Sequence, residues 1–105
     1  MSNPNILEVM EGIQYQTSDE QIAYSITTTN WASTPAAPSA AAYDEYDNSV
    51  VTSTVFPVNN PSAVGDVITL SLLRALTQKH TYRIEVRFTS GGNTYECYFR
   101  VNCPI

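Results

Sequence analysis

Apolar and polar residues alternate most regularly near the C-terminal end of the chain. From residue 82 to residue 88 every second residue is apolar, and the residues between them are Arg83, Glu85 and Arg87. A period of two is typical of a β-strand with one buried face. After the sequence Ser-Gly-Gly-Asn the alternation resumes, with inward positions at Tyr95, Cys97, Phe99 and Val101. The two runs predict a β-hairpin.

A two-residue turn at Gly91 and Gly92 would set the pairing of this hairpin. It places Phe88 opposite Tyr95 and, further along, every apolar residue opposite an apolar one. A three-residue loop would instead place Phe88 opposite Glu96, and we exclude it for that reason.

The same pairing brings charged side chains together on the outer face. Arg87 lies opposite Glu96, which is favourable, but Arg83 lies opposite Arg100, which is not. We therefore expect an acidic group, from this chain or from a partner, to lie over Arg83 and Arg100.

Shorter segments rich in Val, Ile, Thr and Tyr predict the remaining strands. They cover residues 6–10, 21–29, 39–46, 49–56 and 66–72. Together with the hairpin they make about seven strands, at a spacing typical of an all-β sandwich. The predicted core consists of Ile22, Tyr24, Ile26, Ile68, Leu70, Leu76, Tyr82, Ile84, Val86, Phe88, Cys97, Phe99 and Val101.

Residues 72–76 are predicted to form a single helical turn that crosses between the sheets, because apolar residues recur there at helical spacing. Leu76 then precedes Tyr82 by six residues. This spacing resembles the tyrosine corner of fibronectin type III and related immunoglobulin-like domains, in which the tyrosine hydroxyl bonds to backbone a few residues upstream.

Over a wider range, the sequence resembles those of short immunoglobulin-like proteins encoded in the structural regions of tailed phages and prophages. The resemblance implies an immunoglobulin-like β-sandwich of about seven antiparallel strands, without catalytic residues. It rests on Trp31, Pro35, Pro38-Ser39, Tyr43-Asp44, Val51-Thr52, residues 62–70, Leu73, Leu76-Thr77, residues 82–86 and Gly92-Asn93.

Size and charge narrow the class of protein. The chain has 105 residues and a mass of 11.6 kDa, so we expect one domain over residues 1–105, with residues 1–5 disordered. Apolar residues make up 43% of the chain, which is too high a fraction for a disordered segment. The net charge is −5, which argues against nucleic acid as a partner. No membrane span or signal peptide is predicted, so we expect synthesis in the cytoplasm. The resemblance to phage-encoded proteins implies association with a virion.

Two cysteines, Cys97 and Cys103, fall on the second strand of the hairpin. A separation of six residues along a strand is about 20 Å, whereas a disulfide needs Cα atoms within about 7 Å. We predict two reduced thiols. Cys97 belongs to the core, and Cys103 is expected near a frayed end, where it is open to intermolecular oxidation.

Few residues of the sequence indicate catalysis or metal binding. His80 is the only histidine and no Gly-x-Ser-x-Gly motif accompanies it, so we predict a solvated histidine and no enzymatic activity. Residues 44–48 contain Asp44, Glu45, Asp47 and Asn48, which leaves calcium as an alternative to a solvated turn. No zinc site and no cofactor are predicted.

Charge is distributed unevenly along the chain. Residues 1–73 carry a net charge of −8, and residues 74–105 carry +3. This asymmetry suggests a protein-interaction face, which could bind another copy or other virion proteins. The alternative is that these arginines pair with acidic groups of their own chain. The predicted face consists of Arg83, Arg87, Tyr98 and Arg100.

We therefore expect a non-enzymatic structural module that acts through protein–protein contacts, either by its sheet face or by strand addition at exposed edges. The competing hypothesis is a module that binds a glycan or another small ligand. In that case Trp31, Tyr43 and Tyr46 would form an aromatic platform.

Overall fold

Two β-sheets contain most of the regular structure in the computed structural model, which describes residues 6–8, 13–28 and 32–105. Residues 1–5, which the sequence predicts to be disordered, lie outside these ranges. The strands are β1 (Ile6–Glu8), β2 (Gln14–Tyr15), β3 (Ser25–Thr27), β4 (Ala36–Asp44), β5 (Ser49–Val50), β6 (Ser62–Val64), β7 (Val67–Thr69), β8 (His80–Ser90) and β9 (Asn93–Cys103).

The larger sheet has the strand order β1-β9-β8-β4-β5, and β2 also pairs with β9. The smaller sheet has the order β3-β7-β6. This confirms an all-β fold with two sheets. The expectation of antiparallel strands throughout is wrong, because β1 and β2 both run parallel to β9.

The β8–β9 hairpin has the predicted register along its whole length, from Ser90 opposite Asn93 to His80 opposite Cys103. Gly91 and Gly92 form the turn with φ values of 58° and 84°. A two-residue turn that follows the twist of its strands requires this left-handed conformation, which glycine adopts without a steric penalty. The prediction of a two-residue turn is confirmed.

Side chains from both sheets meet in one core. Ile26 and Ile68 come from the smaller sheet, and Ile84 and Phe99 from the larger one. Most predicted core residues are buried, while Tyr24 is partly buried and Ile22 lies at intermediate exposure. The prediction omitted several buried side chains: Ala32, Ala40, Ala42, Val55, Phe56, Leu73 and Cys103.

The segment predicted as a strand over residues 49–56 begins as β5 but continues as the helix α1 (Thr52–Val55). Val55 and the following Phe56 are consecutive and both buried. Neighbouring residues of a strand point to opposite faces, so a regular strand would have exposed one of the two. Within the described ranges no helix is long and apolar enough to cross a membrane.

Two other strands are shorter than predicted, and one is displaced. Among the described residues 21–28 only Ser25–Thr27 form a strand, and in residues 66–72 only Val67–Thr69 do. The strand predicted over residues 39–46 covers Ala36–Asp44. The prediction did not include β2 or β6.

The helical turn predicted over residues 72–76 is absent. Leu73 instead forms a two-way backbone bridge with Ile22, at N–O distances of 2.9 and 3.2 Å. Ala75 has a φ of 58°, which a right-handed helix does not allow. The predicted tyrosine contact is present, because the Thr77 N–H donates to the Tyr82 hydroxyl at 2.6 Å.

The Gln16 side chain connects the segment after β2 to the rest of the fold by hydrogen bonds. This side chain is buried, and Nε2 donates to the carbonyl oxygens of Glu20 at 3.0 Å and Leu73 at 2.6 Å. Oε1 accepts a hydrogen bond from the Tyr24 hydroxyl at 3.1 Å. Burial, with the nearby charge of Glu20, raises the pKa of Tyr24 to about 12, so this hydroxyl remains a donor at neutral pH.

Replacing Gln16 with leucine should therefore lower the free energy of unfolding by about 2–4 kcal/mol, because it leaves several buried polar groups without partners. Urea unfolding measures the effect. Gln21→Leu, at an exposed position, is the matched control and should change stability by less than about 0.5 kcal/mol. Equal effects of the two variants would contradict this role of Gln16.

Candidate protein-interaction face

Strands β4, β8 and β9 lie side by side and present one solvent-facing surface, which we call the outer face. Their inward residues are buried, and the alternating outward ones are partly or fully exposed. The register aligns the outward residues in three rows across the strands. These rows are Tyr43–Arg83–Arg100, Ala41–Glu85–Tyr98 and Ser39–Arg87–Glu96.

Arg83 and Arg100 are opposite each other, as predicted, and Glu45 bridges them. Glu45 Oε1 accepts from Arg100 Nη2 at 2.8 Å, and Glu45 Oε2 lies 3.8 Å from Arg83 Nη1. Arg83 Nε also donates to Glu85 Oε2 at 2.9 Å. The expected acidic group over this like-charged pair is confirmed, and it belongs to the same chain.

Tyr43 and Arg87 complete the ordered part of the face. The Arg83 guanidinium lies 4.9 Å from the centre of the Tyr43 ring, within the range of a cation–π interaction. Arg87 donates through Nη2 to Glu96 Oε2 at 2.6 Å, although its side chain is 64% exposed. Each of the three predicted arginines thus has an acidic partner within the chain, as the second interpretation of the charge asymmetry proposed.

A shallow depression of about 200 Å³ lies on the outer face, beside β4. Small side chains of β4, Ser39 and Ala41, leave room there between longer neighbours. Its other lining residues are Ala40, Tyr43, Glu85, Arg87 and Glu96. Tyr98 lies in the same outward row as Glu85 and is partly exposed. The four predicted face residues therefore share one surface.

His80 is not the solvated histidine that the sequence predicted. Its Nδ1 lies 2.6 Å from Asp44 Oδ2, and its ring stacks on Tyr46 at a centroid distance of 4.6 Å. The His80 side chain is only 22% exposed. The prediction failed because Asp44 is 36 residues away in sequence and reaches His80 only through the pairing of β4 with β8.

Residues 45–48 form the turn between β4 and β5, and Asp44 is the last residue of β4. Asp44 Oδ1 accepts the Tyr46 N–H at 3.0 Å, and Asp47 Oδ1 accepts from the Ser49 hydroxyl at 2.7 Å. These bonds with Ser49 lower the pKa of Asp47. Among the residues that the structure describes, no three His, Cys, Asp or Glu side chains are grouped so that they could hold a metal ion. The carboxylates thus serve as turn and ion-pair acceptors.

Two of the three residues of the predicted aromatic platform, Tyr43 and Tyr46, are described by the structure. Trp31 lies outside the described residues. Tyr43 is covered on one side by Arg83, and Tyr46, which is 78% exposed, stacks on His80. Each tyrosine therefore has its own neighbour within the fold.

Both cysteines are free, as predicted, and both are buried. Burial raises the pKa of Cys97 to about 12, so its thiol stays protonated at neutral pH. The expectation of an accessible Cys103 near a frayed end is wrong. Cys103 is fully buried at the end of β9, opposite His80.

The edges of the larger sheet are shorter than strand addition would need. On the β9 side, β1 pairs with residues 96–98 and β2 with residues 101–102. On the β4 side, the Ala42 N–H donates to Thr52 Oγ1 at 3.0 Å, and the Ala40 carbonyl accepts from Asn59 Nδ2 at 3.0 Å. Pro38 has no N–H to offer there. Long exposed edges, which the sequence analysis expected, are not found on the described part of this sheet.

Comparison of the chain with family models, curated proteins and solved structures gave no match to any of them.

Replacing Glu45 with glutamine should lower the free energy of unfolding by about 1 kcal/mol, because Arg83 and Arg100 would then face each other without a shared carboxylate. Chemical unfolding of Glu45→Gln, Arg100→Gln and the double variant measures the coupling. The double variant should be more stable than the sum of the single effects implies. Asp19→Asn, at an exposed site, is the control, and strictly additive effects would contradict the bridging role.

Proposed function

We propose that this protein is a non-enzymatic structural module of the immunoglobulin-like class, which works by binding other protein chains. The strand order supports the fold assignment. In immunoglobulin domains one sheet contains strands B, E and D, and the other contains G, F, C and C′. The orders β3-β7-β6 and β9-β8-β4-β5 correspond to these two arrangements. The contact between Tyr82 and Thr77 matches the tyrosine corner of such domains.

The outer face is the binding surface in this proposal, and the network of contacts among its side chains is the observation that carries it. Arg83 is held by Glu85, Glu45 and the Tyr43 ring, and Arg87 by Glu96. Side chains that are ordered before binding lose little further entropy when a partner arrives. Arginine and tyrosine are also the residues most often found at the energetic centres of interfaces.

The depression beside Ser39 gives this surface a shape that a partner side chain can fill. Filling a pocket with an anchor residue is a common feature of tight interfaces. The partner would be another copy of the chain or another protein of a phage or prophage virion. The virion assignment rests on the resemblance of the sequence to phage-encoded immunoglobulin-like proteins.

We expect Ser39→Trp, which fills the depression, and Arg87→Glu, which reverses an exposed charge, each to weaken association at least about tenfold. Sedimentation equilibrium over a wide concentration range measures the association of the chain with itself. Arg74→Glu, the matched control, makes the same charge change at an exposed cation outside this face. Equal weakening by Arg74→Glu and Arg87→Glu would show a general effect of net charge and contradict the proposed surface.

The virion assignment predicts that the chain is present at a fixed copy number in particles purified after induction of the strain that encodes it. Quantitative mass spectrometry of those particles, with a known capsid protein as the reference, makes the measurement. A protein found only in the soluble fraction of the lysate, and never in the particles, would contradict this part of the proposal.

Tyr46 favours a second candidate, a module that binds a glycan. Its ring is 78% exposed and is held nearly parallel to the His80 imidazole, at an angle of 10°. A fixed, exposed aromatic ring is a suitable surface for stacking a sugar. We favour protein binding because the outer face combines several immobilised anchors with a depression, whereas Tyr46 is a single ring.

A further inference from the structure

A second concave surface lies at the end of the larger sheet where β8 begins. It is a hollow of about 320 Å³, separate from the depression beside Ser39. It contains the only histidine of the chain and two of its five Lys and Arg residues. The lining residues are Glu45, Tyr46, Lys79, His80, Thr81 and Arg100.

The backbone holds Lys79 and His80 in place at this hollow. The Lys79 N–H donates to the carbonyl of Cys103 at 2.5 Å, and the His80 N–H donates to the carbonyl of Thr77 at 3.3 Å. Lys79 also has a φ of 69°, a left-handed conformation that directs the chain into β8. The two side chains therefore project from a turn that is tied to the end of β9.

The His80 ring is fixed by two contacts. Asp44 Oδ2 lies 2.6 Å from Nδ1, and Tyr46 stacks on the ring. Since an ionised carboxylate only accepts hydrogen bonds, Nδ1 carries a proton and Nε2 is the ring nitrogen that remains for another partner. An additional proton on Nε2 would make the ring a cation that can donate to an anion.

The charges around the hollow leave one cation without a counterion. Glu45 forms an ion pair with Arg100, and the Asp44 carboxylate lies against the His80 ring. The pKa of Asp47 is lowered mainly by its hydrogen bonds with Ser49, and His80 contributes least among the causes. Lys79 has no ion pair with any residue in the described ranges, a property that it shares only with Arg74 among the Lys and Arg side chains.

We propose that this hollow binds a small oxyanion group, a carboxylate or a phosphate, through Lys79 and through Nε2 of His80 when that nitrogen carries a proton. Arg100 lines the same hollow, where its charge is paired with the carboxylate of Glu45. Hydrogen bonds between ionised donors and oxyanions are about twice as strong as neutral ones, which favours such a ligand over a neutral one. The site is distinct from the outer-face depression, and its test does not depend on protein association.

The test is a titration of the intact protein at low ionic strength with sodium sulfate, a tetrahedral oxyanion whose charge does not change near neutral pH. The ring signals of His80 in NMR spectra report binding. We expect saturable shifts that weaken as sodium chloride is added, because salt screens the attraction between the oxyanion and the cations of the hollow. An affinity that does not fall with added sodium chloride, or shifts that do not saturate, would overturn the proposal.

Lys79→Asn removes the charge and retains a residue that tolerates the left-handed conformation. It should weaken sulfate binding about tenfold, and His80→Gln should do the same. Arg74→Asn is the matched control, because it removes the other unpaired cation and should leave the affinity unchanged. Equal weakening by Lys79→Asn and Arg74→Asn would identify an adventitious ion only and reject the site.

Titration with sodium acetate separates the two possible sources of the oxyanion. Binding of sulfate at least about tenfold tighter than acetate supports a phosphate group, which is tetrahedral like sulfate. Acetate binding equal to or tighter than that of sulfate supports a carboxylate, such as an acidic side chain of a partner. Failure of both probes to shift the His80 signals would overturn the site, and would leave the proposed role of the outer face untouched.

Discussion

The pairing of β8 with β9 is the constraint on which the other features depend. Eleven residues of each strand pair in one register, and this register buries Tyr82, Ile84, Val86 and Phe88 together. A shift by one residue would expose that entire set, so the register is fixed by the core. The same register forces Arg83 to lie opposite Arg100. The fold cannot relieve that repulsion by slipping, and it must therefore supply a carboxylate.

Glu45 supplies that carboxylate, and its position has consequences for the end of the sheet. It lies in the turn that follows β4, so the turn must pack close to the start of β8. This brings Asp44 to His80 and Tyr46 onto the same ring. The outer face and the hollow with Lys79 thus both depend on how β4 pairs with β8.

Local alternation predicted the hairpin and its charge pairs, because a strand with one buried face repeats every two residues and a Gly-Gly turn allows one register. It failed where tertiary contacts decide the structure. Val55 and Phe56 both enter the core only through a helical turn, and Leu73 forms a backbone bridge with Ile22, which is distant in sequence. The arginines of the candidate face were predictable in position, but their internal partners were not. Neither was the Asp44–His80 bond, which joins residues far apart in sequence.

The covering of the β4 edge has a consequence for behaviour at high concentration. The side chains of Thr52 and Asn59 form hydrogen bonds with the Ala42 N–H and the Ala40 carbonyl, and Pro38 has no N–H to donate. An open edge of this length would act as a template for extending the sheet from one molecule to the next, which is the first step toward amyloid-like aggregates. A protein made in many copies and packed closely together would gain from such protection. The β4 edge therefore offers few free backbone groups to another copy of the chain.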